Sequence, residues 1–171
     1  MIKRIALAAA SLALVLGGGA QAASATDSTI TAAPRALTDL CPLVLTGKVD
    51  MNDATTLGRF GLTPMSDEAE QAFRSEKHPE TQMARADLAD GRVLVGSYTN
   101  TCMVVIFGDN RFAAQDATVA KVKAAGGTVV TEKRLDDVQY IELKFLGYAV
   151  LSQRQDGTTA VAVSIGPRGG Q

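Results

Sequence analysis

Apolar positions along this chain change their spacing twice. The first run is unbroken. Ile5 to Leu16 is apolar or small apart from Ser11, with Lys3 and Arg4 ahead of it and Gly17, Gly18, Gly19 and Ala20-Gln21-Ala22 behind. A basic start, a short apolar stretch and a small-residue A-x-A site form the pattern of a secretory leader. A membrane span needs about 20 apolar residues, and this run is only about 12 long. The sequence therefore predicts a signal peptide over 1–22, cut near Ala22. Residues 23–33 (ASATDSTITAA) are small and polar and are read as a disordered lead-in.

Helical spacing follows. Leu37, Leu40, Cys41, Val44 and Leu45 fall on one stripe, so a short helix is expected over 39–46, with Thr38 or Asp39 as cap and Gly47 as stop. Asn52 is read as the cap of a helical turn ended by Gly61. Thr63-Pro64 is read as the start of a further helix, "MSDEAEQAFRSEK", which Pro79 ends.

From Arg92 the period becomes that of strands. Segments 93–98 and 102–107 are rich in β-branched residues and flank "TNT", a hairpin. Cys102, Val104 and Ile106 alternate with Met103, Val105 and Phe107, so both faces of the second strand are apolar and the strand belongs at the sheet centre. One helix ends at Gly126-Gly127. Strands are then expected at 128–135, as one long strand over 139–153, and finally along "TTAVAVSIG" after the Asp156-Gly157 turn. The order is short helices, then β-β-α-β-β-β. It predicts an α+β fold: a mainly antiparallel sheet with helices on one face, forming a single domain over 34–166 with a flexible tail at 167–171.

Composition narrows the chemistry. The formal net charge is −1 over 171 residues. Losing Lys3 and Arg4 with the leader makes it −3 and leaves 149 residues, enough for one well-formed core. That balance gives no support for tracking a nucleic-acid backbone. No second long apolar run follows, so no stable membrane anchor is expected after cleavage. Two cysteines, Cys41 and Cys102, in an exported chain predict a disulfide. The competing reading is a reactive thiol with His78 as its base. It is disfavoured because both cysteines fall on apolar faces, which raise a thiol's pKa.

Other constellations are weak. Glu76 and Glu80 flank the only histidine, His78, in a polar stretch around Pro79. Asp50, Asn52 and Asp53 lack the glycine and glutamate of a calcium loop, and capping explains them more simply. Ser97 lacks the flanks of a nucleophile elbow. Lys121, Lys123, Lys133 and Arg134 are interleaved with acids and read as a mixed solvated surface. No cofactor or metal motif is present. The most mixed surface is the long strand, where Tyr140, Glu142, Lys144 and Tyr148 are expected on one face and form the candidate recognition surface.

The expected function is that of an exported, periplasmic or secreted domain that binds an envelope protein or a small ligand without catalysis. Two alternatives stand. One is a small hydrolase in which Glu76, His78, Glu80, Asp87 and Asp90 converge. The other is an envelope assembly or stress factor that acts by strand addition at a sheet edge.

Overall fold

Leu37, Leu40 and Cys41, the core of the stripe expected over 39–46, belong to a helical run that begins about ten residues earlier. The computed structural model describes residues 27–65 and 81–167. Helix α1 (Thr29–Arg35) passes through a π-helical turn, Ala36–Leu40, into α2 (Cys41–Leu45). Residues 29–33, read from sequence as lead-in, are thus part of the fold, and Thr29 and Ala33 are fully buried. The π turn has a local cause. Pro42 has no N–H to donate to the carbonyl four residues back, and its ring would crowd that carbonyl. Widening the preceding turn absorbs both defects, with the Cys41 N–H reaching back to the Ala36 carbonyl.

Helix α3 (Ala54–Gly58) follows, capped by Asp53 rather than by Asn52. The Asp53 carboxylate accepts from the Thr55 and Thr56 N–H groups and from Thr56 Oγ1. The Thr56 hydroxyl, with the backbone bonds behind it, holds the Asp53 carboxyl below the ordinary carboxylate range. Thr63-Pro64 does not open a helix. Thr63–Met65 is strand β1, the edge of the sheet. The helix expected along MSDEAEQAFRSEK lies outside the described residues from position 66 onward, as do the signal peptide and the end of the tail.

The remaining strands are β2 (Gln82–Leu88), β3 (Gly91–Tyr98), β4 (Thr101–Phe107), β5 (Thr128–Leu135), β6 (Val138–Phe145), β7 (Tyr148–Gln155) and β8 (Ala160–Gly166). Helix α4 (Arg111–Ala124) joins β4 to β5. All pairs are antiparallel, and the order across the sheet is β1-β2-β3-β4-β8-β7-β6-β5. The fold is α+β, as the sequence predicts, with three differences among the strands. β1 and β2 are additional. The long strand expected over 139–153 is a hairpin, because Leu146 and Gly147 both take positive φ and reverse the chain. β4 is central, as its two apolar faces require.

One face of the sheet, here the inner face, carries Val93, Val95, Cys102, Val104, Ile106, Val161, Val163, Ile165, Val150 and Leu143. All are buried with Leu37, Leu40, Ala114 and Val122 of the helices. Cys41 and Cys102 form a disulfide with Cα atoms 5.6 Å apart, joining the start of α2 to the central strand across this core. The N-terminus of α1 is held by a second long-range contact. Asp90, in the β2–β3 turn, accepts from Thr29 N (2.9 Å), Thr29 Oγ1 (2.8 Å) and Asn110 Nδ2 (3.3 Å). Its partial burial pushes the carboxyl up, but the Thr29 and Asn110 bonds outweigh this and leave it below the usual range. A carboxylate here also suits the positive end of the helix dipole.

Candidate functional site

Cross-strand register builds a mixed surface on the outer face, away from the helices. Partners directly opposite in an antiparallel pair share a face. Thr131, Glu142 and Leu151 therefore form one row, Lys133, Tyr140 and Gln153 the next, and Leu135, Val138 and Gln155 a third. Each row runs from β5 through β6 to β7. The same alternation sends Ile141, Leu143 and Phe145 to the inner face, where they join the core. Thr131, Lys133, Leu135, Tyr140, Glu142 and Leu151 line a concavity of about 410 Å3. Leu135 and Leu151 are 55% and 40% exposed. Lys133 Nζ lies 5.8 Å from the centre of the Tyr140 ring, within reach of a cation–π contact.

Of the four residues expected on the recognition face, Tyr140, Glu142 and Lys144 share the outer side. Tyr148 does not. It follows the Leu146-Gly147 reversal, pairs with Phe145 and packs against the core on the inner side. Lys144 pairs with Ala149, one row beyond the concavity. Thr131, Lys133, Leu135 and Leu151 were not singled out as part of this face. Their place depends on pairing between strands, and no single strand carries it.

The site offers an exposed cation, a half-buried carboxylate, an aromatic ring and two leucines on the sheet. That set suits recognition of an amphipathic segment or a small mixed-polarity ligand. It contains no histidine, cysteine or serine beside a base.

The other candidates are dispersed. Glu76, His78 and Glu80 lie outside the described residues. Asp87 is paired with Arg92 (2.5 Å) and Arg85 (3.3 Å), and Asp90 clasps α1, so neither is presented together with the other. Ser97 sits inside β3 opposite Cys102. Asp50 accepts from the Asn52 N–H in a local turn. Lys121 pairs with Asp39 and Arg134 with Asp156, in keeping with a mixed surface. Among the described residues no three of His, Cys, Asp and Glu are grouped as metal ligands.

A buried polar network was missed in the sequence. Gln115 of α4 is 2% exposed. Its Nε2 donates to Ser152 Oγ (2.8 Å) and to the Gln153 carbonyl (2.8 Å), and its Oε1 accepts from Arg154 Nε (2.8 Å). Arg154 also donates to the Phe112 carbonyl and to Asp116, and its guanidinium lies over the Phe112 ring. The network locks α4 to β7, and through β7 it supports the floor of the outer concavity. The available signal was a glutamine on the inward stripe with Ala114, Thr118 and Val122, opposite a strand whose inward positions include Ser152 and Arg154.

Comparison of the chain with protein-family models, with curated proteins and with solved structures finds no match.

Proposed function

We propose that this chain is an exported binding domain of the periplasm or cell exterior, and that the outer face of β5, β6 and β7 recognises an envelope protein or a small ligand. The reading rests on one observation above all. Leu135, Leu151, Tyr140, Lys133 and Glu142 meet in one open concavity on the outer face of the sheet. Apolar side chains left in water beside an aromatic ring and charged groups are the composition expected of a recognition surface. Export draws support from the leader-like N-terminus and from the buried disulfide, which suits an oxidising compartment. No helix among the described residues is long and apolar enough to cross a membrane.

The test is capture from envelope extract by wild-type protein and by a Leu135→Asp, Leu151→Asp variant, with bound species identified by mass spectrometry. Both positions are exposed, so the variant should fold, which circular dichroism checks. A species held by the wild type and reduced at least about tenfold by the variant supports the reading, since losing two apolar anchors costs that much or more. Equal recovery by both proteins counts against it.

A second reading, action through a sheet edge, draws support from β5, whose eight residues are all exposed.

A further inference from the structure

We infer that two copies of this chain pair edge to edge through β5, in an antiparallel register centred on Lys133, to form a closed dimer with one continuous sheet. β5 is the last strand in the sheet order and has no strand partner on its far side among the described residues. All its residues are exposed, including Val129, Val130 and Leu135. Such an edge presents a row of backbone donors and acceptors to any chain that can match it.

The sequence of the strand selects the match. A two-fold axis perpendicular to the sheet places each residue opposite one on the same face, so one residue must face itself. The register shift between Val129 and Thr131 leaves Thr131–Leu135 as the regular ladder. With Glu132 on the axis, two glutamates meet and no opposite charges do. With Arg134 on the axis, two arginines meet and Glu132 faces Asp136 of the other copy. With Thr131 on the axis, Glu132 faces the irregular Val130. With Leu135 on the axis, the lysine and arginine face Asp137 and Asp136, but these form the turn, with Asp136 at positive φ, and are no longer ladder. With Lys133 on the axis, the whole regular segment is used. Glu132 faces Arg134 twice, and Thr131 faces Leu135 twice.

The single like-charge meeting, Lys133 with its copy, is eased because each lysine can lean over its own Tyr140. Arg134 keeps spare donors beside its exposed pair with Asp156. The arrangement closes on itself, because it consumes both β5 edges and leaves, among the described residues, the three-residue β1 as the edge at each end. Thr131, Lys133 and Leu135 serve both this pairing and the outer concavity, so the two readings are tested apart: the pairing is read from sedimentation of the protein alone, with no envelope component present.

Sedimentation of the wild-type protein over a concentration series tests this. A monomer–dimer equilibrium is expected. Glu132→Arg and Arg134→Glu, taken singly, turn both cross-copy pairs into repulsions and should each raise the dissociation constant about tenfold or more. Combined in one chain, E132R and R134E restore opposite charges and should return it to within about threefold of wild type. A wild type that stays monomeric, assembles beyond a dimer, or forms a dimer insensitive to both single changes overturns the inference. So does a double variant as weak as the single ones. Circular dichroism of each variant separates loss of pairing from loss of fold.

Discussion

Protein carrying Cys41→Ala together with Cys102→Ala is expected to be less stable than the disulfide-bonded form by roughly 4 kcal/mol. The two cysteines are 61 positions apart, and their bond closes that loop in the unfolded chain. Closing a loop of that length removes conformational entropy worth roughly 4 kcal/mol in the chain-entropy model. Alanine is the right replacement because both side chains are fully buried, so a serine hydroxyl would add an unsatisfied polar group. The fold should survive, because Leu37, Leu40, Val104 and Ile106 still pack around the site. Denaturant titration reads the effect as a lower midpoint. Thiol labelling of the wild type from its native compartment should find no free cysteine. A midpoint shift equivalent to less than about 1 kcal/mol would show that the bond does little to restrain the unfolded chain.

Gln115→Met should cost about 2–3 kcal/mol, because it keeps the side-chain volume and removes three hydrogen bonds from a buried site. Most of the loss comes from the partners left behind, the Ser152 hydroxyl and Arg154 Nε, and less from the bonds themselves. That asymmetry makes a specific claim about Ser152→Ala. Alone it should cost about 1 kcal/mol. Added to Q115M it should cost nearly nothing, since it removes a group already unpaired. Chemical denaturation of the four proteins gives the coupling directly. Strict additivity would mean that the two residues do not act as one network.

Much of the fold is legible because its core strands follow simple alternation. Cys102, Val104 and Ile106 announce β4 and its inward face, and Val161, Val163 and Ile165 do the same for β8. β2 escapes that reading because its inward positions, Ala84 and Ala86, are too small to mark a strand, while Arg85 and Asp87 between them look like loop. Asp90-Gly91 after it was a usable hairpin signal of the same type as Asp156-Gly157. The β6–β7 reversal is hidden by chemistry. Leu146 is a poor residue for positive φ, and only Gly147 hints at the turn. The length of the expected strand, about 15 residues, was itself a warning, since strands seldom exceed about 10.

The same reversal explains what was legible of the candidate site. Alternation along β6 suffices to put Tyr140, Glu142 and Lys144 on one side. Tyr148 falls on the other because the turn changes which residues share a face. Leu151, Lys133 and Leu135 enter only through the registers β6–β7 and β5–β6. Pairing between strands is a long-range property, and a one-strand pattern does not contain it. The helix that starts at Thr29 was obscured for a related reason. What fixes it is Asp90, 61 positions away.

We propose that the outer face of β5–β7 is where this domain meets its partner. Photo-crosslinking in the native compartment measures this most directly, with a photoreactive side chain in place of Leu151 and, separately, in place of Lys123 on the exposed side of α4. An adduct of defined mass formed from position 151 and absent from position 123 is the expected result. No adduct from position 151, or the same set of adducts from both positions, would contradict the account.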